Sequence, residues 1–237
     1  MLILHADPVS GASNILKLAK AFLLGMNQKL PVPAPNPKLQ YRRSTDIPLE
    51  KRKIKIAKVR INPCRGCYVC LERTPDNCGV TDNMKKIIAM FLQAELVMWC
   101  FPMFYYGAPS IMKIFNEKLK PYALQAGSSK KRVLPASQKH IIVSVCSFNT
   151  EEKNYTKEIK QFDFLFEGKY HKIFCSQGEL FNIPQMKPLT TKYLKFTKEA
   201  GAEYAAYGKI TAKTIAQLSK PLLSGEDLIK IEKINKR

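Results

Sequence analysis

Acidic residues are scarce in this chain. Nineteen aspartates and glutamates stand against 39 lysines and arginines in 237 residues, a formal charge of +20. Long apolar runs are missing as well: no stretch approaches the length of a bilayer span, which argues against a transmembrane helix. The opening run from Met1 to Ala6 has no basic region before it and no cleavage-like pattern after it, and it meets Asp7-Pro8 directly. It therefore does not read as a signal peptide, and a cytoplasmic protein is expected. Histidine is rare. His5, His140 and His171 are scattered over strand-like positions without recognisable partners, so they read as structural rather than as ligands or catalysts. Seven cysteines are too few to staple a chain of this length as a secreted disulfide scaffold.

What the sequence does hold is a dense thiol cluster. Cys64, Cys67, Cys70 and Cys78 fall within fifteen residues in a C-x2-C-x2-C-x7-C run, with Pro75, Asp76 and Asn77 in the returning loop. Three thiolates at successive short spacings plus a fourth after a loop suit the corners of an iron–sulfur cluster. Zinc sites more often pair two separated C-x2-C knuckles, and a loop with no metal is the third alternative. Cys100, Cys146 and Cys175 lie instead in apolar strand-like runs, where a free cysteine acts as a small buried hydrophobe.

The excess of positive charge invites a nucleic-acid reading, but its distribution weakens it. The densest patch, Lys51-Arg52-Lys53 with Lys55, Lys58 and Arg60, reads as part of a strand and not as a recognition helix or an aromatic-interleaved platform. A solvated basic surface is the plain account. Steering of an acidic electron donor such as a ferredoxin is the functional one.

Strands and helices alternate along the chain. Leu2–Ala6 is a short apolar strand, and Asn14–Met26 follows as a helix with Ile15, Leu18, Ala19, Phe22, Leu23 and Met26 on one side. Prolines 31, 33, 35 and 37 make the stretch from about 30 to 46 an extended connector. Lys53–Ile61 reads as the second strand, Asn83–Gln93 as a helix, Leu96–Phe101 as a strand apolar at every position, and Ser110–Tyr122 as a helix. Ile141–Cys146, Thr156–Phe166 and His171–Cys175 continue as strand, helix, strand. This order predicts one three-layer α/β domain over 1–237 with five parallel strands, a proline-rich insertion, a cysteine loop over 62–82 and a C-terminal extension over about 178–237.

Ligands of such sheets sit at the carboxyl ends of the strands, which singles out three loops. Asp7-Pro8-Val9-Ser10-Gly11-Ala12-Ser13-Asn14 runs into a helix N-terminus, where free N–H groups and the helix dipole favour a phosphate, with Ser10, Ser13 and Asn14 able to add hydrogen bonds. Ser13 is equally a simple N-cap. Pro102-Met103-Phe104-Tyr105-Tyr106-Gly107 carries three aromatics suited to flanking a flat ring or to packing on a neighbouring subunit. Ser147-Phe148-Asn149 is the third.

Taken together, these segments resemble the flavodoxin-like NAD(P)H-dependent FMN oxidoreductases, and within them the iron–sulfur flavoproteins. The resemblance rests on Asn62-Pro63-Cys64 through Cys70, Cys78 through Asp82-Asn83-Met84, Pro102 to Phe104, and Lys113-Ile-Phe115-Asn-Glu117-Lys118. Ala200-Gly201-Ala202-Glu203 and Gly208 to Thr211 are similar to the family's late helical segment. It implies FMN with its phosphate on Pro8, Ser10, Gly11, Ser13 and Asn14. Its ring would lie against Pro102, Met103, Phe104, Tyr105, Tyr106 and Gly107 and near Ser147. It further implies a 4Fe-4S cluster on Cys64, Cys67, Cys70 and Cys78, a donor such as ferredoxin or NAD(P)H, and a homodimer or homotetramer. The flavin would perform the chemistry, so no side chain is expected to act as acid, base or nucleophile. Two other readings stay open: a cluster-free NAD(P)H-dependent FMN or quinone reductase, and a zinc-loop nucleic-acid-binding protein on a degenerate scaffold. Ala6-Asp7-Pro8-Val9 stands where the family carries Gly-Ser-Pro-Arg, which adds a carboxylate and removes an arginine beside the expected phosphate.

Overall fold

A computed structural model describes residues 1–8, 13–28, 51–73, 75–76, 78–123, 134–147, 151–225 and 227. The proline-rich stretch, Ser10, Gly11, Asn77, Phe148, Asn149 and the last residues of the C-terminal extension lie outside them. The elements are β1 Leu2–His5, α1 Asn14–Met26, β2 Arg52–Lys55, α2 Val69–Glu72, α3 Met84–Leu92, β3 Leu96–Pro102 and α4 Ser110–Ala123. There follow β4 Lys139–Val145, α5 Glu151–Phe166, β5 Tyr170–Cys175, α6 Lys187–Tyr207 and α7 Ala212–Leu218. The five strands are hydrogen-bonded in the order β2-β1-β3-β4-β5 and run parallel. That is the flavodoxin order of a doubly wound sheet. No helix among the described residues is long and apolar enough to cross a membrane.

The second strand is shorter than its sequence suggests. Leu2–His5 pairs in parallel with Arg52–Lys55 on one side and with Val97–Cys100 on the other. β1 ends at His5, so β2 has no ladder partner beyond Lys55, and Ile56–Lys58 closes into a 3-10 turn that buries Ile56. As an edge strand, β2 leaves Arg52 and Lys53 exposed, the usual protection of an open edge.

The chain packs as two compact units. The first comprises Met1–Val9, Leu49–Ile142 and Thr156–Tyr170, and its core is an aromatic cluster around fully buried Trp99. Phe91, Phe115 and Phe162 meet that indole edge-on at 5.7, 5.7 and 5.4 Å between centroids. Trp99 Nε1 donates to His140 Nδ1 at 3.4 Å, and the imidazole stacks on Phe166 at 3.7 Å. His140 is thus a core residue, as its sequence setting suggests.

The second unit comprises Ser10–Pro48, Val143–Tyr155 and His171–Arg237. Its centre is the crossing of α1 over α6, where two glycines let the backbones touch. A Cβ on Gly25 would stand 1.9 Å from the Lys198 carbonyl oxygen, and one on Gly201 would stand 2.0 Å from that of Phe22. α6 is hard to recognise as a buried helix from its residues, because its buried side carries Thr190, Thr197, Ala200, Gly201, Ala202 and Glu203 in place of large apolar groups. Glu203 satisfies itself locally, accepting from Thr211 N at 2.8 Å and from the Thr214 hydroxyl at 2.7 Å, which ties α7 to α6.

Candidate functional site

The cysteine loop belongs to the first unit and is fastened at its mouth. Asp82 accepts from Asn62 N and Met84 N, each at 2.8 Å, so that one carboxylate joins the residue entering the loop to the helix leaving it. Lys118 of α4 completes the site as a buried ion pair with Asp82. Burial works against the charge on Asp82, but Lys118 and the two backbone donors outweigh it and hold the carboxyl below its ordinary value. A second tie comes one turn further along α4, where the Tyr122 hydroxyl donates to Asp76 Oδ1 at 2.9 Å.

Inside the loop, the backbone takes a left-handed conformation at Gly66 (φ 68°) and again at Tyr68 (φ 57°). These two reversals turn the chain between successive cysteines, and the Gly66 N–H points at Cys64 Sγ, 3.5 Å away. The short helix α2 then begins at Val69 and carries Cys70 inward. Cys64, Cys67 and Cys78 are exposed, and Cys70 is half-buried. Burial first, and then the neighbouring Cys78, Cys64 and Cys67, push the Cys70 thiol above its ordinary pKa. Cys67 Sγ comes within 3.8 Å of the position of a Cβ on Gly79, so the returning strand of the loop runs alongside the first. Among the described residues, no three potential ligands are drawn together tightly enough to hold a single metal ion. Four thiols are the ligand type a sulfur-held cluster needs, but they are not converged.

The aromatic loop after β3 also lies in the first unit and is a two-residue hairpin. Phe104 and Gly107 exchange backbone hydrogen bonds of 2.7 and 2.9 Å. Tyr105 (φ 49°) and Tyr106 (φ 56°) occupy the two left-handed positions of a type I′ turn, which Asn and Gly ordinarily fill. Left-handed conformations in bulky residues are strained and cluster at functional sites. Tyr105 is 97% exposed, Phe104 and Tyr106 are largely exposed, Met103 is buried, and Pro102 is half-buried. Behind the hairpin, buried Glu158 of α5 accepts from Ala108 N at 2.7 Å, while its Oε2 has no partner. Burial pushes this carboxyl above its ordinary pKa against the opposing hydrogen bond to Ala108. Pro8 is exposed at the end of β1, after buried Asp7. Buried His5 has no hydrogen-bond partner at either ring nitrogen, and burial lowers its pKa.

In the second unit, Ser13 caps α1, its Oγ accepting from Leu16 N at 3.4 Å. The Asn14 side chain bonds within the protein: its Nδ2 donates to Gly178 O at 2.9 Å, and its Oδ1 accepts from Lys17 Nζ at 2.9 Å. Ser147 is exposed after β4. Sequence reading passes over Glu158 and the tie between Tyr122 and Asp76. Glu158 leaves a signal, since it falls among buried Tyr155, Phe162 and Leu165 at helical spacing.

No protein-family model matches the chain. A curated iron-sulfur flavoprotein of Archaeoglobus fulgidus is 29% identical over 73 residues, which is 31% of this chain and 32% of that protein. The chain thus matches about a third of the length of that relative. A solved FMN-dependent NADH-azoreductase of Bacillus anthracis, in complex with FMN, superposes with a TM-score of 0.59 at 14% identity, covering 86% of this chain and 98% of the other. The NAD(P)H:quinone oxidoreductase of Methanothermobacter marburgensis gives 0.54 at 12% identity, covering 85% and 94%. This chain has a flavodoxin-like fold.

Proposed function

We propose that the protein is an FMN-dependent oxidoreductase. The observation that carries this reading is the strained aromatic hairpin at the carboxyl end of β3 in a sheet of flavodoxin order: two tyrosines in left-handed conformations present π-faces at a position where such sheets bind ligands. FMN when bound supplies one- and two-electron redox chemistry. The chain's own residues orient it. Pro102, Met103, Phe104, Tyr105, Tyr106 and Gly107, with Ser147, are assigned to the ring, and Pro8, Ser10, Gly11 and Ser13 to the phosphate. Asn14 belongs to the same set, its side chain also bonding Gly178 and Lys17. Electrons come from NAD(P)H or from a carrier such as ferredoxin, and the protein works as a homodimer or homotetramer. A cytoplasmic location belongs to the same reading.

Within this reading, Cys64, Cys67, Cys70 and Cys78 hold a 4Fe-4S cluster that exchanges electrons with the flavin. Support comes from the influence of Cys78, Cys64 and Cys67 on Cys70 and from the double fastening of their loop to α4 by Asp82 and Asp76. A cluster-free reductase using NAD(P)H directly is the second reading, favoured by the three exposed and unconverged sulfurs.

Protein purified without oxygen decides between them. Flavin absorbance above a broad iron–sulfur band, with iron and sulfide in equal amounts, supports the two-cofactor enzyme. Flavin alone, bleached directly by NADPH and unaffected by Cys67→Ser, establishes the cluster-free reductase. A colourless protein that takes up no FMN overturns both.

A further inference from the structure

A cleft between α4 and α5 lies wholly within the first unit and takes no part in the flavin reading. It is an open groove of about 290 Å³, just under the usual range for small-molecule sites and room for one substituted ring. Lys113, Asn116, Glu117 and Lys120 line it from α4, and Lys160, Gln161, Phe164 and Leu165 from α5.

Three features of the cleft each specify one part of an occupant. Phe164 leaves 54% of its surface open on a mostly apolar wall, which suits a flat apolar body. Cations surround that wall: Lys113 is paired with Glu117 at 3.4 Å, but Lys120 and Lys160 form no ion pair among the described residues. Two uncommitted ammonium groups beside an apolar surface call for an anion attached to that body. The third feature is Asn116, only 6% exposed. Its Nδ2 donates to Gln161 Oε1 over a long 3.4 Å, and its Oδ1 has no hydrogen-bond partner. A buried amide oxygen left unpaired forfeits its hydration without return, and a hydroxyl entering the cleft would restore the missing donor once half-exposed Gln161 swings aside.

We propose that this cleft binds a small hydroxylated aromatic acid, its ring on Phe164, its carboxylate between Lys120 and Lys160, and its hydroxyl donating to Asn116 Oδ1.

Titration calorimetry of the full chain with 4-hydroxybenzoate, benzoate and 4-hydroxybenzyl alcohol tests the assignment. The hydroxy acid should bind about tenfold tighter than either analogue, each of which lacks one of the two polar contacts. Lys120→Glu with Lys160→Glu, both at the rim of the cleft and outside the core, should abolish the advantage of the acid over the alcohol. Asn116→Leu should erase the preference for 4-hydroxybenzoate over benzoate. Absence of binding at millimolar ligand overturns the proposal, as does binding that survives the lysine reversals, which would place the ligand elsewhere. The probes are neither flavins nor nicotinamides, so the result is independent of flavin content.

Discussion

Lys118 and Asp82 form an ion pair buried to 4% and 2% side-chain exposure, linking the last turn of the cysteine loop to the third turn of α4. α4 begins just after the aromatic hairpin, so one helix supports both the hairpin and the loop. Lys118→Met would leave the Asp82 carboxylate buried without its cation, a loss of about 3–5 kcal/mol. Urea unfolding at neutral pH should show it, and Lys118→Arg should recover most of the stability. The folded pKa of Asp82 lies below its unfolded value. Its contribution is therefore complete above about pH 3.9 and is lost as pH falls through the folded value. The difference between wild type and Lys118→Met should shrink in that acid window; a pH-independent gap would show that the pair is not ionised.

Glu158 titrates with the opposite sign. Burial raises its pKa in the folded chain, so its contribution is complete below the unfolded value of about 4.3 and is lost as pH rises through the folded one. Glu158→Gln keeps an oxygen acceptor for Ala108 N and removes the titration. Midpoints of urea unfolding measured from about pH 4.5 upward should decline for wild type and stay flatter for the variant. Equal slopes would mean that another group carries the pH dependence.

At the α1–α6 crossing, helix propensity and packing pull in opposite directions. Gly25→Ala should gain about 1 kcal/mol from propensity. The added Cβ, however, would stand 1.9 Å from the carbonyl oxygen of Lys198, a backbone atom that can yield only if the helices part. Overpacking of this kind costs about 1–3 kcal/mol or more, so the net effect should be destabilising. Thermal denaturation of Gly25→Ala and Gly201→Ala should give lowered midpoints for both; a raised midpoint for either would mean that the helices separate freely.

How far the sequence revealed this molecule depended on which residues did the work. Leu96–Phe101 and Asn14–Met26 were legible because large apolar residues follow the strand and helix periods, and their order already implied the sheet. β2 was overextended because its end is set by the length of β1, a long-range fact absent from Lys53–Ile61 itself. The whole extent of α6 was obscured by the small and polar residues on its buried face. At the candidate site, the cysteines and aromatics announced themselves by type and spacing. Their supports did not: Asp82 meets Lys118 across 36 residues and Asp76 meets Tyr122 across 46, and a pairing made in space leaves no local pattern. Asn14 showed the converse, a residue of suitable type whose side chain the fold spends on Gly178 and Lys17.

The hairpin offers the sharpest separation of function from stability. Tyr105 buries almost nothing, being 97% exposed, and holds φ at 49°, a conformation that glycine adopts without steric penalty. If the tyrosine served folding, replacing it by glycine would destabilise the chain. If it is kept for its ring, Tyr105→Gly should unfold at equal or higher urea concentration, by up to about 1 kcal/mol, while FMN affinity falls about fivefold for the loss of one aromatic contact worth roughly 1 kcal/mol. Fluorescence titration of FMN and urea unfolding on the same preparation measure both quantities. Reduced stability with unchanged FMN affinity would remove the hairpin from the flavin site and make it a structural turn.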